Sequence, residues 1–148
     1  CPGQIVISGS KEGIEAAEKE AKDLGVRRAV ALEVSGAFHS SFMRGSSLKL
    51  EQELSRVRIN EPRIPVISNV TAQEAVSIEQ IKDNLVQQVA RSVLWEDSMK
   101  FIISCGVNIF IEFGPGKVLK GLMRRINEKV EVKNIEKKED VAEVKYEA

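Results

Sequence analysis

One histidine occurs in these 148 residues, at position 39, inside the stretch Val34-Ser-Gly-Ala-Phe-His-Ser-Ser-Phe-Met43. Histidine is the side chain that takes up and returns a proton at neutral pH, so this stretch is the candidate for acid–base chemistry. Gly36 and Ala37 place little bulk ahead of the ring and leave it room to approach a substrate. A lone histidine is more often a surface or capping residue than a catalyst, and only its surroundings can change that reading. A base also needs a group to activate. The sequence holds no Gly-x-Ser-x-Gly elbow. Ser40 and Ser41 are too close to His39 in sequence to be obvious partners, and neither Cys1 nor Cys105 has the flanking residues that activate a thiol. Residue by residue, this is half of an active site.

A second junction has the composition of an anion site. Val107 to Phe113 is the most apolar strand candidate, and it runs into Gly114-Pro-Gly-Lys117 ahead of a helical run. A helix N-terminus approached through glycine can hold a phosphate. The spacing matches neither GxxxxGK[ST] nor GxGxxG, so a tight strand-to-helix turn is the better reading.

Composition excludes several classes. Lysine plus arginine total 22, and so do aspartate plus glutamate, which gives no electrostatic footprint for nucleic acid. No apolar run reaches the roughly 18 residues that a membrane span needs, and no signal peptide is visible. Two cysteines without CxxC spacing and one histidine speak against a zinc site; no metal and no cofactor is expected. The expected setting is reducing and cytoplasmic. The chain opens on Cys1-Pro-Gly3 rather than methionine, which reads as a piece of a longer protein.

The elements that must position these residues follow from periodicity. Gln4 to Ser8 and Val26 to Val34 are β-type runs, and between them Ser10 caps a helix carrying Ile14, Ala17, Ala21 and Leu24 and closed by Gly25. Strand–helix–strand here predicts a βαβ-like unit, or half of a split ferredoxin-like one. Met43, Leu50, Leu54 and Val57 predict a helix after the histidine loop. Pro62 and Pro65 bracket an extended segment, Ile64 to Ser68, that leads to Asn69. Further helices are predicted from Ile78 to Val89, from Trp95 to Ile103 and from Val118 to Ile126, with a last strand over Val130 to Asn134. From Glu136 onward the charges are mixed and aperiodic, as in a solvated, frayed tail. Helices alternating with short buried strands make the fold α/β.

Four stretches in order resemble the malonyl-CoA:acyl-carrier-protein transacylases of bacterial type II fatty-acid synthesis. They are Cys1-Pro-Gly-Gln-Ile-Val-Ile-Ser-Gly9, Ser35-Gly-Ala-Phe-His-Ser-Ser-Phe-Met43, Pro65-Val-Ile-Ser-Asn-Val70, and Gln88 to Trp95 with Phe113-Gly-Pro-Gly-Lys-Val-Leu-Lys-Gly-Leu122. The similarity extends to about Ile135 and implies a C-terminal fragment of such an enzyme. The implied fold is part of a hydrolase-like core (35–135) with a truncated ferredoxin-like subdomain (1–34) and a charged tail (136–148). The implied activity is transfer of a malonyl group from coenzyme A to acyl carrier protein through an acyl-serine intermediate.

On that resemblance His39 is the general base and Gln88 the residue whose backbone carbonyl orients the imidazole, the role of aspartate in a standard triad. Phe38 sits where the Ala-Phe-His pattern goes with malonyl rather than branched units, and Asn69 lies near the same pocket. The family's Gly-His-Ser-Leu-Gly elbow, its Gly-Gln-Gly oxyanion segment and its carboxylate-binding arginine have no counterpart in these residues. The implied partners are malonyl-CoA, acyl carrier protein and the missing N-terminal half of the same enzyme, with no nucleic acid and no membrane; the fragment alone is expected to be inactive. Ser92 stands where the family often has proline. Two alternatives remain at this point: an acyltransferase-domain fragment of a polyketide synthase, and a non-catalytic interaction module.

Overall fold

The computed structural model describes residues 1–143 as a mixed α/β chain of five α-helices and two strands. Two compact units divide it, one formed by residues 6–94 and the other by residues 1–5 with the chain from Trp95 onward.

The 6–94 unit begins with α1 (Lys11–Asp23), where the Ser10 hydroxyl accepts from the Gly13 N–H at 3.0 Å. This is an N-cap of the expected kind. Gly25, at φ 76°, supplies the left-handed turn that ends the helix. A single 3-10 turn (Ser41–Met43) leads into α2 (Arg44–Arg56), which packs on α3 (Ile78–Gln88). Lys82 of α3 adds a tie by donating to the Val57 carbonyl just beyond α2, at 2.9 Å. Ahead of α3, Ile67 bridges Glu74 in antiparallel fashion and encloses a tight loop. Val70 and Ala72 of that loop, and Ala75 just beyond it, are buried. Ser77 then caps α3 by accepting from Gln80 N–H at 3.1 Å.

The two β-type runs at Gln4 to Ser8 and Val26 to Val34 form no strand. A strand is fixed by its ladder partner rather than by its own residues, and no partner pairs with either run among the described residues. Their apolar side chains stand in solvent: Ile5 is 89% exposed and Val34 64%. The expected βαβ-like unit is therefore a helix between two unpaired segments.

In the other unit, α4 (Trp95–Ser104) precedes β1 (Ile109–Phe113), which pairs in parallel with β2 (Glu131–Ile135) across α5 (Val118–Ile126). The register runs from Ile109 opposite Glu131 to Phe113 opposite Ile135. A parallel pair requires a crossover, and α5 supplies it. Met99, Met123 and Ile135 are its buried apolar residues. The charged tail is more ordered than its composition predicts as far as Glu143. Lys138–Glu143 is a 3-10 turn, and the Asp140 carboxylate accepts from the N–H groups of Lys137 (2.8 Å) and Glu136 (2.9 Å). The rest of that tail lies outside the described residues. None of the described helices is long and apolar enough to cross a membrane.

At the Gly114-Pro-Gly-Lys junction, Gly114 (φ 125°) and Gly116 (φ 83°) take backbone angles that L side chains resist. They turn β1 back so that Glu112, a buried carboxylate, meets the N-terminus of α5. Its two oxygens accept from Leu119 N–H (2.9 Å) and Lys120 N–H (3.0 Å). The anion at this helix end is the chain's own side chain, which leaves those N–H groups engaged. The tight-turn reading holds, and the phosphate reading does not.

Candidate functional site

His39 has φ 61°, one of two non-glycine residues with positive φ among those described. Histidine is among the side chains that visit this region more readily than most, but the position still costs free energy, of order 1–3 kcal/mol. Two hydrogen bonds hold it there. The His39 backbone N–H donates to the Val89 carbonyl at 3.2 Å, and ring Nδ1 lies 2.8 Å from the Gln88 carbonyl oxygen. Both acceptors belong to the C-terminal end of α3, where carbonyls lack partners within the helix.

A carbonyl can only accept, so the contact places the proton on Nδ1 and leaves Nε2 of the neutral ring with a free lone pair. The Gln88 amide nitrogen is 3.3 Å from Nδ1. That amide would donate to Nδ1 only in the other tautomer; the carbonyl contact is the closer of the two, 2.8 Å against 3.3 Å, and on that ground the backbone carbonyl sets the tautomer.

His39 borders an open depression of about 450 Å³, lined also by Ser40, Ser41, Val70, Ala90, Arg91, Ser92 and Leu94. Leu94 and Val70 come together because Leu94 N–H donates to the Asn69 carbonyl at 2.8 Å. Ser40 serves the turn: its hydroxyl donates to the Ala37 carbonyl (2.6 Å) and accepts from Phe42 N–H (3.4 Å). That geometry caps the 3-10 turn at 41–43 and fixes the chain leaving His39.

The four residues expected at the site are thus unequally placed. His39 and Gln88 meet directly, although 49 positions apart. Phe38 is 44% exposed, and its ring edge would lie 3.8 Å from a Cβ at Gly36. Neither Phe38 nor Asn69 lines the depression, and Asn69 takes part through its backbone. Sequence reasoning missed Arg91, Ser92, Val70 and Leu94. Their signal was their place in the stretches Pro65–Val70 and Gln88–Trp95 that carry the resemblance. Among the described residues no group of three or more His, Cys, Asp or Glu side chains is placed to hold a metal ion.

The chain is 45% identical over 130 residues to the malonyl CoA-acyl carrier protein transacylase of Bacillus subtilis, which covers 88% of this chain and 41% of that protein. It is a relative of the malonyl CoA-acyl carrier protein transacylases. The fold agrees. The crystal structure of the acyl-carrier-protein S-malonyltransferase from Bartonella henselae superposes with a TM-score of 0.87 at 36% identity, over 91% of this chain and 43% of that one. A malonyl-transacylase in complex with its type II polyketide-synthase acyl-carrier protein gives 0.86 at 33% identity, over 90% and 43%. No protein-family model matches the chain. The chain spans less than half the length of the transacylases it matches.

Proposed function

We propose that this chain supplies the general-base part of a malonyl-CoA:acyl-carrier-protein S-malonyltransferase, acting on a serine carried by another part of the same enzyme. The observation that carries the reading is the His39–Gln88 contact, with the ring held through Nδ1 and Nε2 left to take a proton. In the proposed reaction Nε2 accepts the serine proton as the serine oxygen attacks the malonyl thioester carbonyl. Collapse of the tetrahedral intermediate breaks the C–S bond and leaves malonyl on serine. The imidazolium then returns its proton to the departing coenzyme A thiolate. The carrier protein's thiol repeats the sequence in reverse and removes malonyl from the serine. While the ring carries both protons, Nδ1–H still donates to the Gln88 carbonyl and keeps the imidazole in place. On this reading Phe38 and Asn69 border the bound malonyl group.

The same proposal accounts for the surface. The apolar side chains that the unpaired runs at 4–8 and 26–34 leave in solvent, Ile5 and Val34 among them, are the surface such a partner half would cover. We assign residues 1–34 to a ferredoxin-like subdomain and 35–135 to a hydrolase-like acyltransferase core, with 136–148 as a charged tail. The rest of both is supplied by the nucleophile-bearing, N-terminal half. The proposed setting is the cytoplasm, with malonyl-CoA and acyl carrier protein as partners.

Incubation with radiolabelled malonyl-CoA tests this. The 148-residue chain alone takes up no label, and label appears when it is combined with a transacylase segment that contains the Gly-His-Ser-Leu-Gly elbow. Malonyl transfer by the chain alone would overturn the proposal.

A further inference from the structure

The last turn of α3 departs from regular helix. Ala90 N–H and Arg91 N–H both donate to the Gln87 carbonyl, at 3.1 and 2.9 Å. The Ala90 N–H thus bonds three residues back rather than four, and the Val86 carbonyl takes a donor from α2. There the half-buried Ser47 hydroxyl donates to it at 2.5 Å. Val86, Gln88 and Val89 thus each present a carbonyl to a donor from outside α3: Ser47 Oγ, His39 Nδ1 and His39 N. Ser47 lies one 3-10 turn and the start of α2 beyond His39, so both donors belong to one continuous segment.

We propose that Ser47 is a positioning residue for the His39 imidazole. Its bond to Val86 fixes the pitch of the last turn of α3. It thereby sets the Gln88 carbonyl at the distance and direction that keep the proton on Nδ1 and leave Nε2 as the acceptor. Serine is a poor helix-interior residue unless its hydroxyl has such a use. Without the hydroxyl, Val86 O recovers a partner only if Ala90 N–H swings back to it, which re-pitches the turn and moves the Gln88 carbonyl. Ser47 does not line the depression that His39 borders. The catalytic consequence rests on His39 being the base, while the tautomer does not.

The only histidine of the chain gives a direct readout. Two-bond ¹H–¹⁵N spectra of the neutral imidazole distinguish the Nδ1–H and Nε2–H tautomers. Ser47→Thr keeps a hydroxyl and Ser47→Val removes it at nearly the same shape, so the pair cancels effects of branching on α2. The expected result is the Nδ1–H tautomer in the parent and in Ser47→Thr, with Nε2–H gaining population in Ser47→Val and Ser47→Ala. In the complete enzyme, kcat for malonyl transfer falls about 2- to 10-fold in the two variants without a hydroxyl, the scale of one hydrogen bond, and KM holds. An unchanged tautomer in Ser47→Val and Ser47→Ala overturns the proposal. A shifted tautomer with unchanged kcat upholds the positioning by Ser47 and overturns the assignment of His39 as base.

Discussion

Glu112 offers a test of how this sequence ends a strand and starts a helix. The residue is 9% exposed, and its carboxylate accepts from two N–H groups of the first turn of α5, at 2.9 and 3.0 Å. Glu112→Ala removes both acceptors and leaves two helix N–H groups without their partner, in a place water reaches poorly. Loss of an N-terminal cap costs about 0.5–2 kcal/mol, and bonds to a charged group are worth about 1.5–3 kcal/mol each. Water can enter part of the space left by the side chain, so the expected loss is about 2–4 kcal/mol. With a urea dependence of about 2 kcal/mol per molar, the middle of the usual range, the denaturation midpoint falls by about 1–2 M. Glu112→Gln keeps one acceptor and the volume, and should lose about half as much. Amide hydrogen exchange locates the effect: Leu119 and Lys120 exchange faster in Glu112→Ala, while Ser47 and Gln88 in the other unit do not change. An unmoved midpoint together with unchanged protection at Leu119 and Lys120 would refute the capping argument.

Two further outcomes follow from the same geometry. Replacing Phe38 with Ser in the complete enzyme should narrow the preference for malonyl over methylmalonyl thioesters by about 10- to 200-fold, the scale of a methyl-sized group in a pocket. Equal ratios of kcat/KM in the two proteins would place the ring away from the acyl group. The N–H groups of Lys137 and then Glu136 hold the Asp140 carboxyl below its ordinary value of 3.8, with Lys137 and Lys117 adding to the effect. A lowered folded-state value means that the turn over 136–140 has its full support above pH 3.8 and loses it as the pH falls through the lower value. Amide shifts of Glu136 and Lys137 should follow that titration in the parent chain and lie flat in Asp140→Asn; the same titration in both would remove Asp140 from the turn.

What the sequence made legible was local. The Ser10 cap, the Gly25 stop and the apolar spacing of α2, α3, α4 and α5 are encoded within a few residues of where they act, and the structure has them there. The β-type runs at 4–8 and 26–34 mislead because a strand is a property of two segments, and no described residue supplies the second. The 3-10 turn at 138–143 was hidden for a different reason. Its order comes from one carboxylate accepting two N–H bonds, which leaves no apolar period to read. Glu112 was equally silent, since its partners lie seven and eight positions away, across a reversal that two glycines make possible.

The site divides the same way. His39 stood out by residue type alone, but Gln88 entered only through resemblance, because nothing in spacing couples positions 49 apart. The positive φ at His39, the deflected end of α3 and the Ser47 bond are consequences of packing that no pattern of residue types announces.

The most direct test of the central claim is the rate of malonyl transfer to acyl carrier protein by the complete enzyme with His39 replaced by Ala. A positioned base is worth roughly two to four powers of ten. The account predicts a fall of that size in kcat/KM, with folding and the binding of malonyl-CoA retained. Transfer within a few-fold of the parent rate would contradict it and remove His39 from the reaction.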